Sequence, residues 1–201
     1  MADAWHRTLL RRWAPLIWGN IPNALTLARL VSVPAAVKLI ADGQMTMAFW
    51  LFIASGVTDA LDGTLARLLN ARTVLGAYMD PLADKLLLVS IYLLLGWLGH
   101  LPVWLIVLVV VRDLLIVSVA AMSWLLFGAT RIRPLWLSKA NTAAQLFLAG
   151  LVLGSLGLGF EADRAIEVLV WTVALTTVAS GVAYLWAWVR RLPDGGRGEA
   201  S

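Results

Sequence analysis

The sequence predicts an all-α integral membrane protein, with six transmembrane helices preceded by an amphipathic helix. The chain of 201 residues is 61% hydrophobic and only 14% charged, and its mean hydropathy is +0.83. These values lie outside the usual balance of a soluble domain. Apolar runs long enough to cross about 30 Å of hydrocarbon recur along the chain, and short polar breaks separate them. The bilayer is therefore the expected solvent.

The six spans are placed between breaks that contain turn formers or charge. Their expected bounds are 24–41, 45–68, 75–98, 102–127, 138–159 and 165–189. Together they form one helical domain over residues 21–190, and the Gly-rich residues 191–201 are expected to be a disordered cytoplasmic tail.

Residues 1–20 are predicted to form the amphipathic helix, lying on the membrane surface. Four apolar residues recur on one helical face and two arginines lie off it: Trp5, Leu9, Trp13 and Leu16 against Arg7 and Arg11. The alternative is a mobile cytosolic tail. Arg29 and Lys38 interrupt the first apolar stretch, so no cleavable signal peptide is expected.

Basic residues collect on one side of the predicted bundle. That side receives Arg7, Arg11, Arg12, Arg67, Arg72, Arg131, Arg133, Lys139, Arg190, Arg191 and Arg197, whereas the other has little beyond Lys38 and Arg164. The positive-inside rule therefore predicts that both termini and the loops after the second and fourth spans are cytoplasmic, in a multi-pass protein of the bacterial inner membrane or a topologically equivalent one. Because the net charge of +4 gathers beside apolar spans, anionic membrane lipids are the expected partners and nucleic acid is not.

Four aspartates stand within the second and third predicted spans: Asp59, Asp62, Asp80 and Asp84. An aspartate at a helix centre costs roughly 2.5–3.5 kcal/mol on insertion scales, so something must offset the penalty. The spacings i,i+3 and i,i+4 put each pair on one face of its helix. In an antiparallel hairpin the pairs form two carboxylate layers about 5 Å apart, compatible with two metal ions roughly 3.5–4 Å apart. Oxygen ligands favour Mg²⁺ or Mn²⁺, and Gly63 and Gly76 permit a close approach of ligand or helix.

Two other interpretations of the aspartates stay open at this point. They could pair with Arg67, Arg72 and Lys85 in a network that stabilises the bundle. They could also line the pathway of a proton or cation transporter, although the inverted repeats and broken helices typical of transporters are not evident in the sequence.

The same run resembles the signature of the CDP-alcohol phosphotransferases, which is D-x-x-D-G-x-x-A-R, eight residues, and G-x-x-x-D-x-x-x-D. Every fixed position is met, by Asp59, Asp62, Gly63, Ala66, Arg67, Gly76, Asp80 and Asp84. The resemblance implies a six-helix homodimer whose aspartates bind two metal ions that hold the diphosphate of a CDP-linked lipid. It also implies that Asp84 is the general base, and that the nucleotide site is lined by Gly63, Ala66, Arg67 and Gly76.

The acceptor alcohol is suggested by weaker similarities. The run Ser138-Lys139-Ala-Asn141-Thr142-Ala-Ala-Gln145 is similar to the S-K-x-N-T-A-x-Q pattern of the mitochondrial-type cardiolipin synthases, whereas relatives that use glycerol 3-phosphate commonly have a second lysine at the position of Asn141. Arg112-Asp113 and the run from Thr172 to Ala183 also resemble the cardiolipin group.

These similarities imply that phosphatidylglycerol accepts the phosphatidyl group of CDP-diacylglycerol, giving cardiolipin and CMP. The alternative keeps the chemistry but uses glycerol 3-phosphate. The candidate acceptor residues are Arg112, Arg131, Arg133, Lys139 and Asn141. Arg112 could instead be only a buried ion-pair member, and Arg131 and Arg133 could merely satisfy the positive-inside bias.

Overall fold

The computed structural model describes residues 31–69, 74–127 and 136–190. For residues 59–69, 74–84, 120, 124, 126 and 127 it describes the helical backbone alone. The described residues form six helices and no strand. The helices are α1 (Val31–Ala41), α2 (Met45–Leu69), α3 (Val74–Trp97), α4 (Val103–Phe127), α5 (Trp136–Leu158) and α6 (Asp163–Val189).

The observed helices confirm the all-α class. The bounds of α2 to α6 lie within two residues of the predicted spans at each end, and α1 ends at the predicted Ala41. Within the described residues, three helical segments are long and apolar enough to cross a membrane: Val103–Ser123, Trp136–Leu158 and Asp163–Val189. The six-span count stays a prediction, and the segments 1–20 and 191–201 lie outside the described residues.

Three of the described helices end where a glycine adopts a left-handed conformation, and two of these ends share one hydrogen-bond pattern. Gly43, with φ +74°, follows α1, and Gly99, with φ +79°, follows α3. The amide of Gln44 donates to the carbonyl of Leu39 at 2.8 Å, and that of His100 donates to Leu95 at 2.8 Å. This is the Schellman arrangement, which satisfies carbonyls that a helix end leaves without partners. The turns predicted after α1 and α3 therefore have a local cause in the sequence.

The chain divides into two units. One unit runs to Leu94 and includes Leu153–Phe160 from the end of α5. It contains the helices that carry the four aspartates, and its described core includes the fully buried Ile40, Ile91 and Tyr92. These apolar side chains belong to α1 and α3, so burial of α1 contributes to the stability of the unit that holds the motif.

The other unit comprises Leu95–Val152 and Glu161–Ser201. Within it, α4 and α6 pack on each other, and the rings of Trp104 and Trp171 lie 5.4 Å apart between centroids. Large apolar side chains on the outer faces of these helices stay exposed, including Val107, Leu114, Leu175 and Val182. Exposed apolar faces of this kind suit a hydrocarbon environment better than water.

In the first unit, α5 makes a close backbone contact with the start of α2. The hydroxyl of Thr46 donates to the carbonyl of Gly157 at 2.5 Å. A Cβ added at Gly157 would lie 2.8 Å from the backbone Cα and N of Thr46. Since backbone atoms cannot turn aside as a side chain can, the contact requires glycine and sets the position of the N-terminal end of α2.

We expect Gly157→Ala to destabilise the protein by about 1–3 kcal/mol, because the new methyl group forces the two helices apart. The matched control is Gly56→Ala in α2, where an added Cβ meets nothing within 4 Å. That control should be neutral or stabilising by about 0.5–1 kcal/mol, since alanine is the better helix former. Reversible unfolding in mixed micelles measures both variants. Equal stability of the two would contradict the close contact.

Candidate functional site

The four predicted metal ligands lie in two consecutive helices of the first unit. Asp59 and Asp62 are in α2, and Asp80 and Asp84 are in α3. Asp62 stands seven residues before the end of α2 at Leu69, and Asp80 stands six residues after the start of α3 at Val74. With a rise of about 1.5 Å per residue, these two positions lie at nearly equal distances from their helix ends.

The helical backbone also fixes which motif positions share a face. Asp59 and Asp62 are separated by i,i+3, and Asp80 and Asp84 by i,i+4, so each pair lies on one face of its own helix. Asp59 and Asp84 are again about equally far from the ends of their helices, ten residues in each case. The side chains of these aspartates lie outside the described ones, as do those of Ala66 and Arg67, and for Gly63 and Gly76 the helical backbone alone is described.

The donor set of the motif fits a hard divalent cation. It consists of four carboxylates in the one sequence run, without the histidine or cysteine that zinc would favour. Carboxylate oxygens match the preference of Mg²⁺ and Mn²⁺. The motif therefore has the ligand chemistry of the two-ion site that the sequence predicts.

A second group of candidate residues surrounds Arg112 in the other unit. Arg112 in α4 is only 4% exposed, and its guanidinium bonds to side chains of α4, α5 and α6. Its Nη1 donates to Asp113 Oδ1 at 2.8 Å, its Nη2 to Ser138 Oγ at 2.6 Å and its Nε to Ser180 Oγ at 2.8 Å. Because each partner takes a different nitrogen, the planar fork is held in one orientation. The buried ion pair that was the alternative role considered for Arg112 is thus present.

Asn141 lies on the same face of α5 as Ser138, three residues further along the helix. It is fully buried, and its Oδ1 accepts hydrogen bonds from Thr176 Oγ1 at 2.8 Å and Thr177 Oγ1 at 2.9 Å. Its Nδ2 is buried and has no hydrogen-bond partner among the residues that the structure describes. The structure therefore places Arg112 and Asn141 along the same buried seam between α5 and α6.

Lys139 does not join this seam. It is exposed and stands two residues before Asn141, so the two positions are about 200° apart around α5. Arg131 and Arg133 lie outside the described residues. Of the five predicted acceptor residues, only Arg112 and Asn141 are brought to one place by the described structure.

Four hydroxyl residues complete the seam: Ser138, Thr176, Thr177 and Ser180. From sequence they stand only within the two runs that resemble the cardiolipin group, without a role of their own. The signal that could have found them is their spacing. Thr177 and Ser180 are i,i+3 in α6, and Ser138 and Asn141 are i,i+3 in α5. Small polar residues at such spacing in an apolar helix are typical of hydrogen-bonded contacts between membrane helices.

The family model of the CDP-alcohol phosphatidyltransferases matches residues 19–188, and the chain belongs to this family. Members of the family generally depend on a divalent metal ion, in agreement with the donor set of the motif. The resemblance carried by the eight motif residues is thereby confirmed at the level of the family.

The curated relatives include proteins whose names describe two different reactions. The chain is 34% identical over 182 residues to a cardiolipin synthase (CMP-forming)/mitochondrial hydrolase fusion protein of Schizosaccharomyces pombe, covering 82% of this chain and 30% of that protein. It is 37% identical over 183 residues to the chloroplastic CDP-diacylglycerol–glycerol-3-phosphate 3-phosphatidyltransferase 1 of Oryza sativa subsp. japonica, covering 82% of this chain and 56% of that protein.

A third relative matches over more of its own length. The chain is 35% identical over 172 residues to a probable phosphatidylglycerophosphate synthase of Mycobacterium tuberculosis, covering 83% of this chain and 80% of that protein. By contrast, the chain spans about a third of the S. pombe relative and about half of the rice relative. Overall similarity thus supports the shared chemistry and leaves the choice of acceptor to individual residues.

Proposed function

We propose that this protein transfers the phosphatidyl group of CDP-diacylglycerol to the free glycerol hydroxyl of phosphatidylglycerol, giving cardiolipin and CMP. The observation that carries the proposal is the complete family motif, from Asp59 to Asp84, at matched distances from the ends of two consecutive helices. The motif places four aspartates within two apolar helices, where ionisable groups mark a functional site by default.

In the proposed reaction the acceptor oxygen forms a bond to the β-phosphorus, and the bond from that phosphorus to the oxygen of CMP breaks. The electron pair of the broken bond leaves with CMP. Asp84 takes the proton of the attacking hydroxyl as general base. Arg67 contributes a fixed positive charge near the nucleotide phosphates. Two Mg²⁺ or Mn²⁺ ions held by Asp59, Asp62, Asp80 and Asp84 would neutralise the diphosphate and stabilise the leaving group.

The charges of the second unit favour a phosphodiester acceptor over a phosphomonoester. The guanidinium of Arg112 is already paired with the carboxylate of Asp113. The amide of Asn141 is neutral, which leaves Lys139 as the exposed cation at the described start of α5. A phosphomonoester carries nearly two negative charges and a phosphodiester only one, so the smaller positive charge matches phosphatidylglycerol better.

Glycerol 3-phosphate stays the second candidate acceptor, because the rice relative at 37% identity is named for it. The reaction would then give phosphatidylglycerophosphate and CMP by the same bond changes. The proposal also keeps the active site at the cytoplasmic face, which the arginines of the predicted loops favour, and keeps the homodimer that the family resemblance implies.

The test offers both acceptors at once. Purified protein in mixed micelles receives CDP-diacylglycerol, Mg²⁺ and an equimolar mixture of phosphatidylglycerol and glycerol 3-phosphate, and the lipid products are identified by mass spectrometry. We expect cardiolipin to be the main product and CMP to be released in equal amount. A product dominated by phosphatidylglycerophosphate would contradict the acceptor. Failure to release CMP with either acceptor would contradict the phosphatidyltransferase activity itself.

A further inference from the structure

In the side-chain amide of Asn141, the oxygen has hydrogen-bond partners and the nitrogen has none among the described residues. The residue is 0% exposed, and its oxygen accepts from two threonine hydroxyls of α6. Its nitrogen, with two N–H groups, has no partner among the described residues. A buried donor without a partner costs about 1–3 kcal/mol. Most buried polar groups are hydrogen-bonded. We therefore expect Nδ2 of Asn141 to donate to a group other than the described residues.

Thr177 is the residue that fixes the orientation of this amide. Thr176 has one hydroxyl proton, and the carbonyl oxygens of Thr172 and Val173 lie 2.8 Å and 3.2 Å from its Oγ1, so they compete for that proton with Asn141. Thr177 is fully buried, and within the described residues its hydroxyl donates to Asn141. A donated bond to Oδ1 turns Nδ2 away from α6.

The surroundings of Nδ2 favour an anionic oxygen as its partner. Arg112 lies about one helical turn along the same seam, since Ser138 and Ser180, which hold it, are three residues from Asn141 and Thr177. Its guanidinium has five N–H groups, of which three have described partners. A phosphate oxygen can accept from such N–H groups and from an amide N–H at once.

We propose that Thr177 is a positioning residue, which holds Asn141 so that its Nδ2 donates a hydrogen bond to a phosphate oxygen of the acceptor substrate. This inference rests on the proposed function. It assigns the acceptor site a neutral donor beside a charge-paired arginine. Such a donor recognises the phosphate oxygen without adding positive charge, which suits a monoanionic phosphodiester.

The experiment compares Thr177→Val with Thr177→Ser under saturating CDP-diacylglycerol. Valine keeps the shape of threonine and removes the hydroxyl, so the amide of Asn141 is no longer held. We expect KM for phosphatidylglycerol to rise about tenfold, the equivalent of about 1.4 kcal/mol and within the range for one buried hydrogen bond. Turnover at saturation should stay within about twofold. Thr177→Ser retains the hydroxyl and should restore KM.

The matched control is Thr172→Val. Thr172 is an exposed threonine of the same helix, and its hydroxyl donates to Val168 at 2.8 Å, one turn back in α6. KM of this variant should equal that of the unchanged protein. A purely structural seam closed by water would lower the melting temperature of Thr177→Val and leave KM unchanged. That outcome, or equal KM values for Thr177→Val and Thr177→Ser, would overturn the proposal.

Asn141→Asp tests the same donor without changing Thr177, and it carries the test if Thr177→Val does not fold. The variant keeps an oxygen for the two hydroxyls and replaces the donating nitrogen by an anionic oxygen, which repels phosphate. We expect a larger rise in KM than for Thr177→Val, and an unchanged KM would overturn the inference. If the unchanged protein uses only glycerol 3-phosphate, the proposed acceptor is wrong, and the same KM comparisons with that substrate still decide the role of Thr177.

Discussion

Asp80→Asn is expected to lower turnover by about a hundredfold or more, the equivalent of about 3 kcal/mol of transition-state stabilisation. The amide that replaces the carboxylate has nearly the same shape but no negative charge, so it binds a divalent cation much less strongly. Asp80 and Asp84 are separated by i,i+4 and therefore lie on one face of α3. The measurement is CMP release as a function of Mg²⁺ or Mn²⁺ concentration, and the variant should need more metal for its residual activity.

The matched control is Asp42→Asn. Asp42 is an exposed aspartate in the turn between α1 and α2, within the same unit. The Asp42→Asn variant loses the same charge at a position outside the motif. Its activity and its metal requirement should therefore equal those of the unchanged protein. Near-normal turnover of folded Asp80→Asn would contradict the assignment of Asp80 as a metal ligand.

Arg112→Met is expected to destabilise the second unit by about 3–5 kcal/mol, because it removes one partner of a buried ion pair. Methionine fills a similar volume but leaves Ser138 and Ser180 without their bonds to the guanidinium and takes the ion pair from Asp113. Loss of these bonds loosens the start of α5, where Asn141 lies. Unfolding by denaturant in mixed micelles measures the change in the free energy of unfolding.

Arg190→Met is the control for this change. Arg190 is exposed at the end of α6, with its guanidinium carbon 4.7 Å from the ring centroid of Trp186. Such a pair contributes about 0.5–1 kcal/mol at an exposed site, so the control should lose far less stability. If Arg112→Met were as stable as the unchanged protein and only its KM for the acceptor rose, Arg112 would act through the substrate alone and not through the packing of three helices.

The structure also changes what is expected of a lysine at position 141. From sequence alone, Asn141 in place of a second lysine lowers the positive charge near the acceptor phosphate. In the structure, the site is fully buried and lies about one turn from the guanidinium of Arg112. A lysine there would bring a second cation into a buried seam, where desolvation and like-charge repulsion both oppose it. Such a residue requires a counter-charge, which a dianionic phosphomonoester could provide better than a phosphodiester.

The sequence by itself determined the helices and the chemistry of the motif. An apolar run of about 20 residues that crosses a bilayer forms a helix, because a helix satisfies its own backbone hydrogen bonds where water is absent. Glycine at positions such as Gly43 and Gly99 ends a helix through local backbone geometry. Four aspartates at i,i+3 and i,i+4 spacing lie on helix faces by geometry alone. These features depend on residues close in the chain, so no knowledge of packing was needed to predict them.

Only the tertiary structure decided which helix faces are buried and which polar groups meet across them. In a soluble helix, polar residues mark the outer face. In a membrane helix, both the lipid-facing and the buried faces are apolar, so hydropathy does not tell them apart. The bonds from Arg112 to Ser138 and Ser180, and from Thr177 to Asn141, join residues 26 to 68 positions apart in the chain. Their partners are set by the packing of α4, α5 and α6, because a buried polar group in hydrocarbon must find its hydrogen bonds on neighbouring helices.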